Sequence, residues 1–437
     1  MINKPRLKIR ILDYADAQTS ILKKRWPNVK KVDREVTEKA RAIVDDIVKR
    51  GDIALLDYTE KFDGVRLSAD QIKVEKDDIK RAYRKASKEQ ISAIKFIKKR
   101  VENFQKKILK RVVFEYEANG IRIQSCASPI RRLGCYIPGG AASYPSSLVM
   151  TVTPAKVAGV SEIAVFSPPR TLGEIDPLIL VAADICCVDE IYRVGGAQAI
   201  AAMAYGTQTI RPVDKLVGPG NKFVVAAKML VSKDLPVDIP AGPSEIVVLA
   251  DESADARIVA LDMISQSEHV DSVAILVTTS QKVAESVRME LQKAVEKVPN
   301  REMVFRNLVE NSCIIICRTV KEAIDFINKY APEHLEIFSA NGWKIAEQID
   351  SAGLVLIGRY SPVAASDYCF GTVHVLPTGG FSRVHSGLSV LDFIKRFNIA
   401  ECSRRGLDEI RKPITEIANA EGLLNHVLAV EGRFKDE

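Results

Sequence analysis

The chain has 437 residues, of which 47% are hydrophobic and 27% are charged, with a formal net charge of +7. This composition is typical of a globular protein and excludes a disordered or fibrous chain. No apolar run reaches the roughly 18 residues of a membrane span, the first residues lack the apolar stretch of a signal peptide, and eight cysteines in so long a chain do not indicate a disulfide framework. We therefore expect a cytoplasmic protein of two or three domains, with no membrane contact.

The positive charge is concentrated near the N-terminus, where the first 110 residues hold about 30 basic and about 17 acidic side chains. Such an excess could indicate a nucleic-acid partner. However, acidic residues are interleaved with the basic ones, as in Lys76–Arg81. We interpret these segments as solvated helical surfaces and predict that the protein does not bind nucleic acid.

The first 110 residues are predicted to be helical. Val36, Ala40, Ile43 and Ile47 recur at helical spacing, and Gly51 follows as a C-cap. A second lysine-rich helical pattern covers residues 77–108.

From about residue 130, short apolar runs alternate with glycine turns and helical stretches, which predicts βα units of parallel sheets. The strands are expected at residues 163–166, 191–194 and 216–217, and then at 246–249, 273–277, 314–316, 335–338 and 354–357. These two series predict an α/β fold with two lobes and a boundary near residues 240–243. From about residue 389 the chain is predicted to return to charged helices.

Only five histidines are present, and one of them follows a glutamine at helical spacing. Gln266 and His269 are expected late in a helix that starts near Ala254, where positions i and i+3 share a face and could bind one ion. On spacing alone, Glu268 or Asp262 could replace Gln266. A surface helix without a ligand explains this segment equally well.

A carboxylate and an imidazole are adjacent at Glu333 and His334, between a predicted helix that ends at Tyr330 and a predicted strand. Such a pair could transfer protons near neutral pH. Taken alone, the dipeptide is more typical of a solvated loop.

A second carboxylate and imidazole, Asp367 and His374, are separated by a turn at Gly371 that could bring both toward one cavity. Glu421 and His426 form a weaker pair in the tail, and His385 is interpreted as structural. Among the cysteines, those at positions 186, 187, 313 and 317 are expected in the core, and the cysteine at 369 is the only candidate for a functional role.

Several ordered motifs together closely resemble the histidinol dehydrogenase family. They are Tyr136–Gly140, Val194–Ile200, Val217–Asn221, Pro240–Glu245, Gln266–His269, Ala331–Leu335 and Asp367–Gly380. The resemblance extends from about residue 30 to 430. It implies two Rossmann-like lobes that are incomplete because they lack the G-x-G-x-x-G fingerprint, which is also absent here, with helical extensions at both ends. The implied division is 1–30 as an N-terminal extension, 31–130 with 241–388 as the catalytic and metal-binding lobe, 131–240 as the NAD-binding lobe, and 389–437 as a tail that reaches a partner subunit.

The family oxidises L-histidinol to L-histidine with two NAD+, through an aldehyde held in the site. The resemblance implies one zinc ion per subunit and a homodimer whose last zinc ligand comes from the partner subunit. Carried over by motif, Glu333 and His334 would be the proton acceptors. The implied zinc ligands are Gln266, His269, Asp367 and His426; the implied substrate contacts are these four with Ser244, His334, His374 and Glu421; the implied cofactor contacts are Tyr136, Gln198 and Asn221.

These residue types suit the implied chemistry, since alcohol oxidation needs a base and aldehyde hydration needs a carboxylate that activates water. One departure is Ser366, which stands where many relatives have glycine. Family relatives that oxidise other polar alcohols, such as a sulfonated diol, are the alternative function; retention of His374, Glu421 and His426 favours histidinol. A zinc hydrolase and a basic RNA-binding protein are the alternatives outside the family.

Overall fold

The computed structural model describes residues 7–25, 34–139, 143–238 and 242–434. The predicted lobe boundary near residues 240–243 lies mostly outside these residues. The described residues form two parallel sheets, one small antiparallel sheet and the helices that cover them. The mixed α/β class with helical extensions is therefore confirmed.

The strands, in chain order, are β1 (Arg10–Asp13), β2 (Phe114–Ala118), β3 (Ile121–Pro129), β4 (Arg132–Tyr136), β5 (Glu162–Ser167), β6 (Glu190–Arg193), β7 (Lys215–Val217), β8 (Glu245–Ala250), β9 (Val273–Thr278), β10 (Cys313–Ile316), β11 (His334–Phe338), β12 (Leu354–Ile357) and β13 (Ile394–Cys402).

The helices are α1 (Tyr14–Ala17), α2 (Lys23–Arg25), α3 (Arg34–Arg50), α4 (Asp52–Asp63), α5 (Lys76–Lys85), α6 (Lys88–Leu109), α7 (Pro145–Ala158), α8 (Pro177–Ile185), α9 (Gly196–Tyr205), α10 (Lys222–Val231), α11 (Ala256–Gln266), α12 (Gln281–Ala294), α13 (Arg301–Glu310), α14 (Val320–Tyr330), α15 (Gly342–Ala346), α16 (Val363–Tyr368), α17 (Arg404–Ala420) and α18 (Leu424–Glu431). A π-helix, Gln18–Leu22, joins α1 to α2.

The smaller parallel sheet has the strand order β6-β5-β4-β7. Its strands are almost wholly buried, as expected for a parallel sheet covered on both faces by helices. After three strands that run to one side, the chain crosses back and places β7 beside β4. The topological switch point of this sheet therefore lies between β4 and β7.

The helices of residues 34–109 pack on this smaller sheet. Helix α3 contacts α9 and α10, α5 contacts α8, and α6 contacts α7. Their buried side chains join the same apolar clusters as β4 and β5. The predicted domain division grouped residues 31–130 with residues 241–388. In the structure, residues 34–109 pack instead on the sheet of the expected NAD-binding lobe. The division itself stays a prediction.

The larger sheet is parallel throughout and has the order β1-β10-β9-β8-β11-β12. All five strands expected in the second series are present. The expectation of helices alone near the N-terminus is wrong at β1, which is an edge strand beside β10. This strand has only four residues, of which two are partly buried and two exposed, so its periodic signal is weak and pairing with an existing sheet decides its conformation.

The predicted helical tail also begins differently from expectation. Residues 394–402 form β13, which pairs antiparallel along the whole length of β3, with β2 on the other side. This strand is mostly exposed, so it lacks the apolar run that marks a buried strand. Helices α17 and α18 follow as predicted.

All eight cysteines are free thiols in the structure. The expectation that Cys187 lies in the core is wrong: it is exposed and ends helix α8 in a left-handed conformation with φ of 58°. No helix among the described residues has both the length and the apolar composition that crossing a membrane requires.

Candidate active site

Glu333 and His334 lie where the chain passes from α14 into β11, and both side chains are buried, with exposed fractions of 6% and 4%. The interpretation of this dipeptide as a solvated loop is therefore wrong. Helix α14 ends in a left-handed residue, Ala331, and β11 begins at His334 itself. The backbone carbonyl of Glu333 accepts a hydrogen bond from Leu354, which fixes the segment to the start of β12.

The Glu333 carboxylate has an environment that favours its neutral form. Burial raises its pKa to about 7, partly opposed by His334 and by the backbone N–H of Glu245, which donates to Oε2 at 2.9 Å. A carboxyl with a pKa near 7 can both accept and release a proton at neutral pH.

His334 is held between two carboxylates. Its Nδ1 lies 3.7 Å from Glu333 Oε2 and its Nε2 lies 3.6 Å from Asp367 Oδ1. Burial lowers the pKa of His334, but attraction to Glu333 and Asp367 outweighs burial, so the pKa is raised above its usual value. Neither ring nitrogen has a hydrogen-bonding partner among the described residues, so both are available to a ligand.

His374 contacts the backbone of Asp367 rather than its carboxylate. His374 Nδ1 donates to the Asp367 backbone carbonyl at 2.9 Å, and Nε2 lies 3.1 Å from the Ser147 hydroxyl on α7. Burial lowers the pKa of His374, and this favours a neutral ring that accepts from Ser147. Gly371 has φ of +95°, and a Cβ there would lie 2.8 Å from the Arg100 carbonyl oxygen, so glycine is required at this turn.

Gln266 is the last residue of helix α11. His269 was expected within this helix but lies in the turn that follows it. Gln266 is buried, whereas His269 is exposed. Asn307 holds this turn, because its side-chain nitrogen donates to the carbonyls of Ser267 and His269 at 3.0 and 2.8 Å. His269, His334 and Asp367 all act electrostatically on His374, which places α11 and α16 at one site.

The two alternatives to Gln266 have different surroundings. Asp262 interacts with Glu336 of β11 within the protein interior. Glu268 is exposed and acts electrostatically on Tyr368.

Glu421 and His426 lie in the tail and are both exposed. Their helices pack on each other and reach the rest of the chain through β13 and Gly120. Within the part of the chain that the structure describes, no group of three or more His, Cys, Asp or Glu side chains is arranged to hold a metal ion.

The expected cofactor contacts lie at the carboxyl ends of the smaller sheet's strands. Tyr136 ends β4, and its hydroxyl accepts a hydrogen bond from Gly196 N at 3.1 Å. Gln198 is buried in the first turn of α9, and its Oε1 has no partner among the described residues. Asn221 caps α10 by accepting from the backbone N–H groups of Phe223 and Val224.

Tyr136 and Asn221 follow the two strands of the switch point, β4 and β7, where nucleotides bind in open α/β sheets, whereas Gln198 follows the edge strand β6. Gly218 permits the close approach of the two strand ends, because a Cβ there would lie 2.0 Å from the Tyr136 carbonyl oxygen. Helix α9 begins directly after β6 and helix α10 shortly after β7, and helix N-termini in such positions suit phosphate groups.

Two features of the site were not identified from the sequence. Arg25 binds Glu245 with two hydrogen bonds and stacks on Tyr330, 3.6 Å from the ring centre, and so supports the chain on both sides of Glu333. Ser147 supports His374. A largely buried arginine in a three-residue helix has no sequence signal.

Known proteins match this chain over nearly its whole length. The family model described as histidinol dehydrogenase matches residues 27–434. Curated histidinol dehydrogenases from Methanosarcina barkeri and Methanocaldococcus jannaschii are 41% and 43% identical over 427 and 403 residues. These alignments cover 97% of both proteins in the first case, and 92% of this chain and 93% of the relative in the second.

The crystal structure of histidinol dehydrogenase from Elizabethkingia anophelis superposes with a TM-score of 0.92 at 35% identity, covering 98% of each chain. The fold, the switch-point site and these matches define an NAD-dependent oxidoreductase. The chain belongs to the histidinol dehydrogenase family, so the resemblance seen in its motifs is confirmed.

Proposed function

We propose that this protein oxidises L-histidinol to L-histidine with two NAD+, through an aldehyde that stays in the site. The observation that carries the proposal is the buried pair of Glu333 and His334, with the Glu333 pKa raised to about 7 and the His334 nitrogens open to a ligand. Family membership supports the same assignment.

His334 is the proposed base of the first half-reaction. It takes the proton of the substrate hydroxyl while the neighbouring carbon transfers hydride to NAD+, which leaves the aldehyde. The carboxylates of Glu333 and Asp367 stabilise the positive charge that the imidazole then carries.

Glu333 is the proposed base of the second half-reaction. It takes a proton from water as the water oxygen adds to the aldehyde carbonyl, and the hydrate then transfers hydride to the second NAD+. Burial suits Glu333 to this task, because a carboxylate with an ordinary pKa would be a weaker base.

The residues proposed to hold zinc are Gln266, His269, Asp367 and His426, with the last from a partner subunit. Their amide, imidazole and carboxylate donors fit zinc. Zinc in this position would anchor the imidazole and amine of histidinol. Ser244 precedes the β8 residue whose N–H binds Glu333, so it lies beside the proposed substrate position together with His374.

The proposed homodimer is supported by the surface of the tail. Strand β13 and helices α17 and α18 expose large apolar side chains, including Ile399, Ile417, Leu424 and Leu428, each more than half exposed. Apolar surface of this kind is typical of protein–protein contacts. Covering it with a second copy would also allow Glu421 and His426 to reach that copy's site.

The test is turnover of NAD+ by purified protein with L-histidinol, with zinc removed by a chelator and then restored. We expect two NADH per histidinol, loss of turnover without zinc, and no aldehyde release. Oxidation of a sulfonated diol in preference to histidinol would support the alternative substrate instead. A ratio of one NADH per substrate, or activity indifferent to the chelator, would contradict the proposal. The cytoplasmic location stays a prediction that cell fractionation would check.

A further inference from the structure

Asp262 and Glu336 form a carboxyl pair that the proposed reaction does not use. Glu336 lies in β11 and is only 1% exposed. Its Oε1 accepts a hydrogen bond at 2.9 Å from the backbone N–H of Val363, the first residue of α16. Its other oxygen, Oε2, and Oδ2 of Asp262 are both buried and have no donor among the described residues.

Asp262, Glu336 and Val363 each lie one helical turn, or one strand repeat of two residues, from a residue of the candidate site. Asp262 precedes Gln266 by four residues on α11, and Val363 precedes Asp367 by four residues on α16. Four residues are about one helical turn. Glu336 follows His334 by two residues, which places both on the same face of β11. The pair and Val363 therefore form a layer directly beneath the layer that carries the chemistry.

Two facing carboxylates in the protein interior repel each other unless one of them holds a proton. Burial raises the pKa of Asp262 to about 6, and burial followed by repulsion from Asp262 raises the pKa of Glu336 well above its usual value. The groups that act on the pair are its own two members and the Val363 N–H. A proton shared between them supplies the missing donor and makes a hydrogen bond between α11 and β11.

We propose that Asp262 and Glu336 share one proton and act as positioning residues that hold α11, β11 and α16 in register, so that Gln266, His334 and Asp367 converge. This inference rests on the proposed function for the role of those three residues. In this arrangement the Glu336 side chain on β11 forms hydrogen bonds to both α11 and α16.

The test compares variants that keep the hydrogen bonds with one that breaks them. In Glu336→Gln, the amide oxygen still accepts from Val363 and the amide nitrogen donates to Asp262. In Asp262→Leu, a side chain of similar size leaves Glu336 without its partner. Val259→Ala, which removes a buried side chain from the same helix α11, is the control for general destabilisation.

Zinc affinity of the full-length protein, measured by competition with a chelator, is the main readout. We expect a loss of ten- to a hundredfold for Asp262→Leu, as for other residues that support metal ligands. We expect less than about threefold change for Glu336→Gln and for Val259→Ala, with NAD+ affinity unchanged in all three. Equal losses in Glu336→Gln and Asp262→Leu, or an unchanged affinity in Asp262→Leu, would overturn the proposal.

The shared proton has a readout that needs neither zinc nor substrate. At neutral pH, the infrared spectrum of wild-type protein minus that of Glu336→Gln should contain a protonated-carboxyl band, because the subtraction removes the band that Glu333 contributes to both proteins. If wild-type protein neither binds zinc nor oxidises histidinol, the proposed function fails. The carboxyl band still tests whether Asp262 and Glu336 share a proton. Absence of that band from the difference spectrum would contradict the shared proton.

Discussion

The two parallel sheets contribute opposite edges to the candidate site. In the smaller sheet, Tyr136 and the turns after β6 and β7 lie at the carboxyl ends of the strands. In the larger sheet, Glu333 and His334 lie at the amino end of β11, and Ser244 lies just before β8. We call the first the nucleotide edge and the second the catalytic edge, after their proposed roles. The nucleotide edge follows the rule for ligand sites in open α/β sheets, but the catalytic edge does not.

The two edges also differ in how they present their groups. The nucleotide edge presents the N-termini of α9 and α10, together with Gln198 and the Tyr136 hydroxyl. The catalytic edge uses buried ionisable side chains, with Glu333 and His334 facing each other away from solvent. We infer that the first edge sets cofactor affinity and the second sets the rate of chemistry, so substitutions at the two edges should have separable effects.

The largest expected effect concerns the zinc ligand that we propose to come from a partner subunit. Gln266→Ala and His426→Ala should each abolish turnover, because each removes a proposed zinc ligand. Mixing the two inactive proteins should restore part of the activity, since a mixed dimer can contain one intact site. Turnover after subunit exchange measures this. Failure to recover activity, once exchange is verified with tagged chains, would indicate a site built from one chain.

His334→Ala should lower the first hydride transfer by about a hundred- to ten-thousandfold, the range of general-base catalysis. Glu333→Gln should instead impair oxidation of supplied histidinal far more than oxidation of histidinol. Single-turnover NADH formation from each substrate measures both losses, with bound zinc verified as unchanged. Equal losses on both substrates for Glu333→Gln would reject this division of roles and leave the site assignment intact.

Glu333 should make the zinc-free protein less stable as the pH rises. Its pKa is about 7 in the folded chain and about 4.3 in an unfolded one, so between these values only the unfolded chain releases the proton. The free energy of unfolding should therefore fall between pH 5 and pH 8, on the order of 2 kcal/mol more in wild type than in Glu333→Gln. Urea unfolding at both pH values checks this; parallel curves would show that Glu333 is ionised in the folded state.

The smallest effect is expected at the nucleotide edge. Tyr136→Phe removes the hydroxyl that accepts from Gly196 N, a loss of about 1 kcal/mol, or roughly fivefold in KM for NAD+. The KM for histidinol and the rate of single-turnover chemistry should not change. A lower chemical rate with an unchanged KM for NAD+ would show that the two edges are not separable in this way.

Much of the architecture can be predicted from the sequence. Apolar runs between glycine turns place three of the four strands of the smaller sheet and five of the six strands of the larger one, since strands buried on both faces carry a strong local signal. The buried strand β4 was not predicted. The exposed β13 and the short β1 carry little signal, and both depend on pairing with strands that are distant in the sequence.

The sequence by itself determined the family, the order of the parallel strands along the chain and the residue types available for proton transfer, because each is written in local motifs such as Ala331–Leu335. Only the tertiary structure decided that Glu333 is buried with its pKa raised to about 7, that His334 lies between two carboxylates, and that Asp262 faces Glu336. The physical reason is that burial and electrostatic environment come from groups supplied by other elements. Residues far apart in the sequence, such as Arg25 and Glu245, become neighbours only when the sheets assemble.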